Sequence, residues 1–219
     1  MKIFIDTANI EKIKEINSLG IISGVTTNPA LIAKEGKDLI PTIREICGIV
    51  NGVVNAEVLA TESGKMVEEA LKLASISEKI VIKLPMTKDG IAASSILAGK
   101  GIKTNITCVY SANQSILAAN AGAAYVSPFV ARGDDFGIDG IKVLQDISTI
   151  YRLHGIKTKI IAASMRSPRF VMAAAMAGSD IATIPYEVIN KMFDHPLTDS
   201  SLEGFMNDWK KVMGSKGIL

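Results

Sequence analysis

Eight short β-branched runs, each followed by a longer stretch of helical periodicity, limit most severely what this chain can fold into. The runs cover residues 2–6, 21–25, 53–58, 80–84, 103–107, 124–127, 159–163 and 181–184. Between them lie amphipathic segments such as 63–76, where Met66, Val67, Ala70, Leu71 and Leu73 recur at helical spacing with charges between them. Strand–helix alternation with short connections implies parallel strands joined by right-handed crossovers. Eight such units close into a barrel more naturally than they extend as an open sheet. No linker, low-complexity stretch or charge block divides the 219 residues. The expected architecture is therefore an α/β fold, a (β/α)8 TIM barrel in one domain over residues 1–219.

Composition agrees with buried parallel strands. Apolar residues make up 48% of the chain and aromatics only 5%, so the core must be aliphatic. Against 24 basic residues stand 22 acidic ones, a net charge of +2 that gives no reason to expect a nucleic-acid partner or an anionic membrane surface. Cys47 and Cys108 stand in no C-x-x-C or Cys/His spacing and read as reduced thiols of an intracellular protein. The first residues meet Asp6 after one short apolar stretch, which argues against a signal peptide. No apolar run approaches the ~18 residues of a membrane span. A cytoplasmic protein is the expectation. After the last strand, segment 200–213 places Leu202, Phe205, Met206, Trp209, Val212 and Met213 on one helical face. That extra C-terminal helix packs either on its own barrel or on a neighbouring subunit.

In such a barrel the strand C-termini and the loops after them form the active face. Here those ends are polar. Strand one ends at Asp6, and strand two runs into Thr26-Thr27-Asn28-Pro29. Glu57, Lys83, Asn105 and Thr107 lie on strands three to five; Ser127, Phe129 and Arg132 follow strand six, and Ser164 and Arg166 follow strand seven.

Lys83 is the central residue. In Ile80-Val81-Ile82-Lys83-Leu84-Pro85, Val81 and Lys83 share one face and Ile80, Ile82 and Leu84 the other. One of the two faces must point into the barrel. Burial of an ammonium is costly and drives lysine toward the neutral amine, a nucleophile for carbonyl groups. The competing reading is a structural lysine paired with Glu57 or Asp6. Two carboxylates flanking a lysine can divide acid and base roles, although Asp6 also stands where a helix N-cap would. Arg132 and Arg166, with Ser127 and Ser164, form a candidate oxyanion clamp, the alternative being two solvated loop arginines. His154 and His195 lie on or after helices, away from strand ends. No His/Cys/carboxylate spacing suggests a metal, and no G-x-G-x-x-G or P-loop is present.

These strand ends resemble those of the small transaldolase family, which includes the bacterial fructose-6-phosphate aldolases. The matching motifs are Phe4-Ile5-Asp6-Thr7-Ala8-Asn9, Gly24-Val25-Thr26-Thr27-Asn28-Pro29 and Val81-Ile82-Lys83-Leu84-Pro85. They continue with Tyr125-Val126-Ser127-Pro128-Phe129-Val130, Arg132, and Ala162-Ala163-Ser164. The likeness covers nearly the whole chain. It implies a (β/α)8 barrel, class I aldol chemistry on phosphorylated sugars and no cofactor. By the resemblance Lys83 is the Schiff-base lysine, Asp6 the acid/base, and Glu57 with Thr107 the pair that positions the catalytic water. Thr27 belongs to the substrate-binding strand end, Asn28 and Asn105 match the residues that hold the dihydroxyacetone hydroxyls, and Ser127, Arg132, Ser164 and Arg166 match hydroxyl- and phosphate-binding positions. The aldolases of the family have Gln where this chain has Glu57, and Tyr where it has Phe129. Glu57 and Phe129 are therefore the transaldolase choices. The resemblance further implies a ring-shaped homo-oligomer, a pentamer or decamer, with the C-terminal helix reaching a neighbour.

Overall fold

A computed structural model describes residues 1–214. The chain begins with β1 (Lys2–Asp6), α1 (Ile10–Ser18), β2 (Gly24–Thr26), α2 (Pro29–Lys34) and α3 (Leu39–Ile49). It continues through β3 (Val53–Glu57), α4 (Ser63–Ala74), β4 (Ile80–Pro85), α5 (Lys88–Gly99) and β5 (Thr104–Val109). Next come α6 (Ala112–Asn120), β6 (Tyr125–Pro128), α7 (Ala131–Asp134), α8 (Gly140–Leu153) and β7 (Lys159–Ala162). The last elements are α9 (Pro168–Met176), β8 (Ile181–Ile184), α10 (Tyr186–Phe193) and α11 (Pro196–Met213).

The strands form a closed parallel barrel in sequence order, β1 through β8. Closure comes from β8 pairing with β1, from Lys2↔Ile181 to Ile5↔Ile184. Alternate residues of each strand then face either the helices or the barrel interior. Outward-facing Ile5, Val25, Val54, Ile82, Ile106 and Val126 are fully buried beneath helical Ile13, Ile46, Met66, Leu97 and Leu144. Ile80, Ile82 and Leu84 belong to this outer layer, so the opposite face of β4, with Val81 and Lys83, is the inner one.

A smaller cluster of Phe4, Ile161 and Ile181, packed with Val53 and Tyr125, fills the interior at the end away from the strand C-termini. Phe4 fits there only because position 24 has no side chain. A Cβ on Gly24 would come within 2.7 Å of the Phe4 ring and 2.6 Å of the Val53 carbonyl. With the N-terminal half of the barrel plugged by apolar side chains, polar strand positions are confined to the other end.

Two boundaries differ from the sequence reading by more than two residues. β2 starts at Gly24 rather than residue 21, since pairing with β1 begins at Phe4↔Gly24 and Ile21 is exposed. Ile21 and Ile22 have strand composition but no strand neighbour. The C-terminal helix begins at Pro196, with His195 as its N-cap, and every residue from 196 to 213 is exposed. Its apolar face, with Phe205 and Val212 the most open, is thus largely uncovered in the single chain. No helix among them is long and apolar enough to cross a membrane.

Candidate active site

The strand C-termini open into a cavity of about 500 Å³, within the range that encloses small-molecule ligands. Asp6, Asn28, Glu57, Lys83, Thr107, Ser127, Phe129, Arg132, Ser164 and Arg166 all line it. Thr27 and Asn105 do not. Both are fully buried behind the wall, Thr27 with its hydroxyl donating to the Asn55 carbonyl at 2.9 Å.

Lys83 is 7% exposed, and its ammonium donates to Glu57 Oε2 at 2.9 Å and to the Thr27 carbonyl at 3.3 Å. Register explains the pairing, because Glu57 and Lys83 are directly opposite across β3 and β4. The ion pair and the nucleophile are therefore compatible readings of one residue. Glu57 neutralises the charge and is also the nearest group able to take a proton from it.

Asp6 is not a helix cap. The N-cap of α1 is Asn9, whose side chain accepts from the Lys12 amide. Asp6 stays at the end of β1, where Thr26 donates to its Oδ1 at 2.7 Å. Burial pushes its carboxyl above the usual carboxylate range, against the opposing pull of the Lys83 ammonium and the Thr26 hydroxyl; the Glu57 charge adds to the rise. A carboxyl raised in this way sits closer to the pH at which acid–base exchange is useful.

On β5 a bulge breaks the alternation, since Ile106 pairs with Val126 but Val109 with Pro128. One residue is extra, and Thr107 and Cys108 both reach the cavity. Cys108 absorbs the distortion with φ +59°. Its thiol is pushed up, mainly by burial, so the half-buried sulfur stays protonated. Thr107 Oγ1 is buried without a hydrogen-bond partner, the adjacent sulfur being too weak an acceptor to satisfy it. An orphan hydroxyl beside the Lys83–Glu57 pair is a position for a reacting oxygen.

Asn105 supports the site from behind. Its amide donates to Asn55 Oδ1, and its carbonyl oxygen accepts from the Ser127 hydroxyl, each at 2.8 Å. Asn28 caps α2 by accepting from the Leu31 amide at 2.9 Å, which leaves its own amide nitrogen as the group to offer a ligand.

At the cavity mouth, Arg132 lies over the Phe129 ring with its guanidinium carbon 5.4 Å from the centroid. Tyr110 meets the same ring edge-on at 5.7 Å. Arg166 makes a two-pronged ion pair with Asp135, at 2.7 and 2.6 Å, and both side chains are about half exposed. The solvated-loop alternative thus describes Arg166 only in part, because its guanidinium is both pre-shaped and replaceably paired. Ser164 adopts φ +62°, a left-handed conformation that costs a non-glycine residue about 1–3 kcal/mol and that clusters at functional sites. Among the described residues no group of His, Cys, Asp and Glu is arranged to hold a metal ion.

Two polar cavity residues, Thr183 and Cys108, escape the sequence reading, and Thr26 enters it only as part of a polar strand end. Thr183 is an ordinary β-branched strand residue by composition, and no local signal marks it. Cys108 is visible in sequence but is aimed inward only by the bulge.

The transaldolase/fructose-6-phosphate aldolase family model matches residues 3–216. A probable transaldolase of Methanococcus maripaludis is 53% identical over 213 residues, covering 97% of this chain and 99% of that protein. A probable transaldolase of Clostridium botulinum is 55% identical over 214 residues, covering 98% and 99% respectively. One from Methanococcus vannielii is 54% identical over 209 residues, covering 95% and 97%. An eight-stranded barrel with a buried lysine between two carboxylates, matched along almost its whole length by these proteins, places the chain in the transaldolase/fructose-6-phosphate aldolase family.

Proposed function

We propose that this protein is a transaldolase that moves a dihydroxyacetone unit between sugar phosphates through a Schiff base on Lys83. The observation that carries the reading is the Lys83 amine, buried in the cavity and 2.9 Å from the Glu57 carboxylate. Glu57 takes a proton from the ammonium, and the neutral amine attacks the C2 carbonyl of a ketose such as sedoheptulose 7-phosphate. Loss of water, placed between Glu57 and the orphan Thr107 hydroxyl, leaves a protonated imine.

Asp6 then removes the proton of the C4 hydroxyl. The C3–C4 bond breaks, its electrons pass to the imine, and erythrose 4-phosphate departs. The three-carbon unit stays on Lys83 and adds to glyceraldehyde 3-phosphate, with Asp6 returning the proton to the new hydroxyl. Hydrolysis of the imine releases fructose 6-phosphate and free Lys83. Asn28 and Ser127 position the hydroxyls of the dihydroxyacetone part, with Asn105 holding Ser127 from behind. Arg132, Arg166 and Ser164 hold the distal phosphate, which replaces Asp135 as the partner of Arg166. They supply orientation, which converts remote binding energy into rate.

Phe129 and Glu57 favour transfer over aldol cleavage. A phenol in place of Phe129 would add a proton donor near the water that hydrolyses the imine; Phe leaves the intermediate to wait for an aldehyde. The expected result is a borohydride-trapped adduct on Lys83 with fructose 6-phosphate, found by peptide mass analysis, and turnover that requires an added acceptor aldehyde. Adduct formation with rapid acceptor-independent release of dihydroxyacetone would make the protein an aldolase instead. An unmodified Lys83 would leave only a phosphosugar-binding barrel.

The assembly follows the same reading. Leu202, Phe205, Met206 and Val212 of α11 are each more than half exposed, an apolar face that fits docking on a second copy of this chain in a ring. Light scattering is expected to give a pentamer or decamer mass, and a monomer mass overturns this part.

A further inference from the structure

Barrel closure brings together two threonines that lie 157 positions apart in the chain. Thr26 on β2 and Thr183 on β8 flank β1, and their hydroxyl oxygens are 2.5 Å apart, beneath the Asp6 carboxylate. Both are almost fully buried, at 2% and 3% exposure, yet both line the cavity.

Each hydroxyl has a single proton, which settles the direction of the bonds. Thr26 spends its proton on Asp6 Oδ1. The proton in the Thr26–Thr183 contact must then come from Thr183. The result is a one-way series, Thr183 to Thr26 to Asp6, in which each donor is polarised by the next acceptor.

We infer that Thr183 and Thr26 are positioning residues for the acid/base step, holding Asp6 by Oδ1 so that Oδ2 meets the substrate proton. Thr183 acts through Thr26 and not on the substrate's reacting atoms. This rests on the transaldolase reading in that Asp6 must be the acid/base. With Thr183 removed, Thr26 loses the bond that fixes its rotamer, and its donation to Asp6 weakens. A hydrogen bond to the charged carboxylate favours ionisation, so its loss raises the pKa. The charged groups that act on Asp6 across the cavity are Lys83, which favours ionisation, and Glu57, which opposes it; β2 and β8 present only the two hydroxyls. Neither charged group changes in the variant.

The test uses the full chain with Thr183→Val and Thr183→Ser, compared in three readouts. Borohydride trapping on Lys83 is expected to match the unmodified protein for both variants, because imine formation uses Lys83, Glu57 and Thr107. Turnover of Thr183→Val is expected to fall about 10-fold, a fraction of what complete loss of an acid–base group costs. The acidic limb of its kcat/KM profile is expected to move to higher pH, and Thr183→Ser to restore both rate and limb. Thr183→Ala removes the same bond and serves if the valine variant does not melt like the parent. A limb that stays in place in a well-folded hydroxyl-free variant overturns the inference, as does a serine variant that fails to restore it. Absence of any adduct on the parent protein overturns the Schiff-base reading and the relay with it, whereas an adduct with an unmoved limb overturns the relay alone.

Discussion

Replacing Lys83 with methionine is expected to lower transaldolase turnover by about 10⁴-fold or more and to abolish the borohydride-trapped adduct. Methionine matches the length of the lysine side chain and keeps the aliphatic contacts of β4, where Ile82 and Leu84 are fully buried. Only the amine is lost. Among the described residues no other lysine lines the cavity, so none is placed to substitute for it. Glu57 is left without its counter-ion, but it borders the cavity and can be solvated there. The thermal transition is therefore expected to survive while activity does not. Mass analysis after borohydride treatment with fructose 6-phosphate is the decisive measurement, because an adduct on Lys83→Met protein would place the nucleophile elsewhere.

The Asp6→Asn variant is expected to separate the two chemical stages. An amide cannot accept the C4 hydroxyl proton, so carbon–carbon cleavage is expected to slow by about 10³-fold. Imine formation is expected to continue, and trapping should capture the uncleaved sugar on Lys83. The parent protein's acidic limb carries the complementary signature. Burial raises the Asp6 carboxyl above its ordinary range. As a base it must be ionised, so activity is expected to fall, as pH drops, at a higher pH than a free carboxylate would dictate. In Asp6→Asn protein the residual rate loses that limb. Retention of the limb would assign it to another group, with Glu57 the first candidate.

The barrel was legible because each strand is a compact β-branched run and each helix shows its own period. Lys2–Asp6 and Ile181–Ile184 agree with the sequence reading residue for residue. β2 does not, since Ile21 and Ile22 carry the composition of a strand without the neighbour that would make them one. Pairing is a relation between segments, and composition records only one side of it.

The site divides along the same line. Residue type alone exposed Lys83, Asp6 and Glu57, because charges inside aliphatic strands are costly and need a reason to be there. Which face of β4 turned inward stayed open, as both faces of a barrel strand are apolar over most of its length. Closure decided it, packing Ile80, Ile82 and Leu84 under the helices. Closure also joined Thr183 to Thr26, and the bulge on β5 turned Thr107 and Cys108 the same way. The exposed face of α11 is a third case, because helical periodicity defines a stripe without saying what covers it. By itself, then, the sequence determined which elements form and which residues are too polar for a core. Tertiary structure alone decided which of those residues touch, since contacts across a closed barrel depend on register and closure, and neither leaves a local mark in the chain.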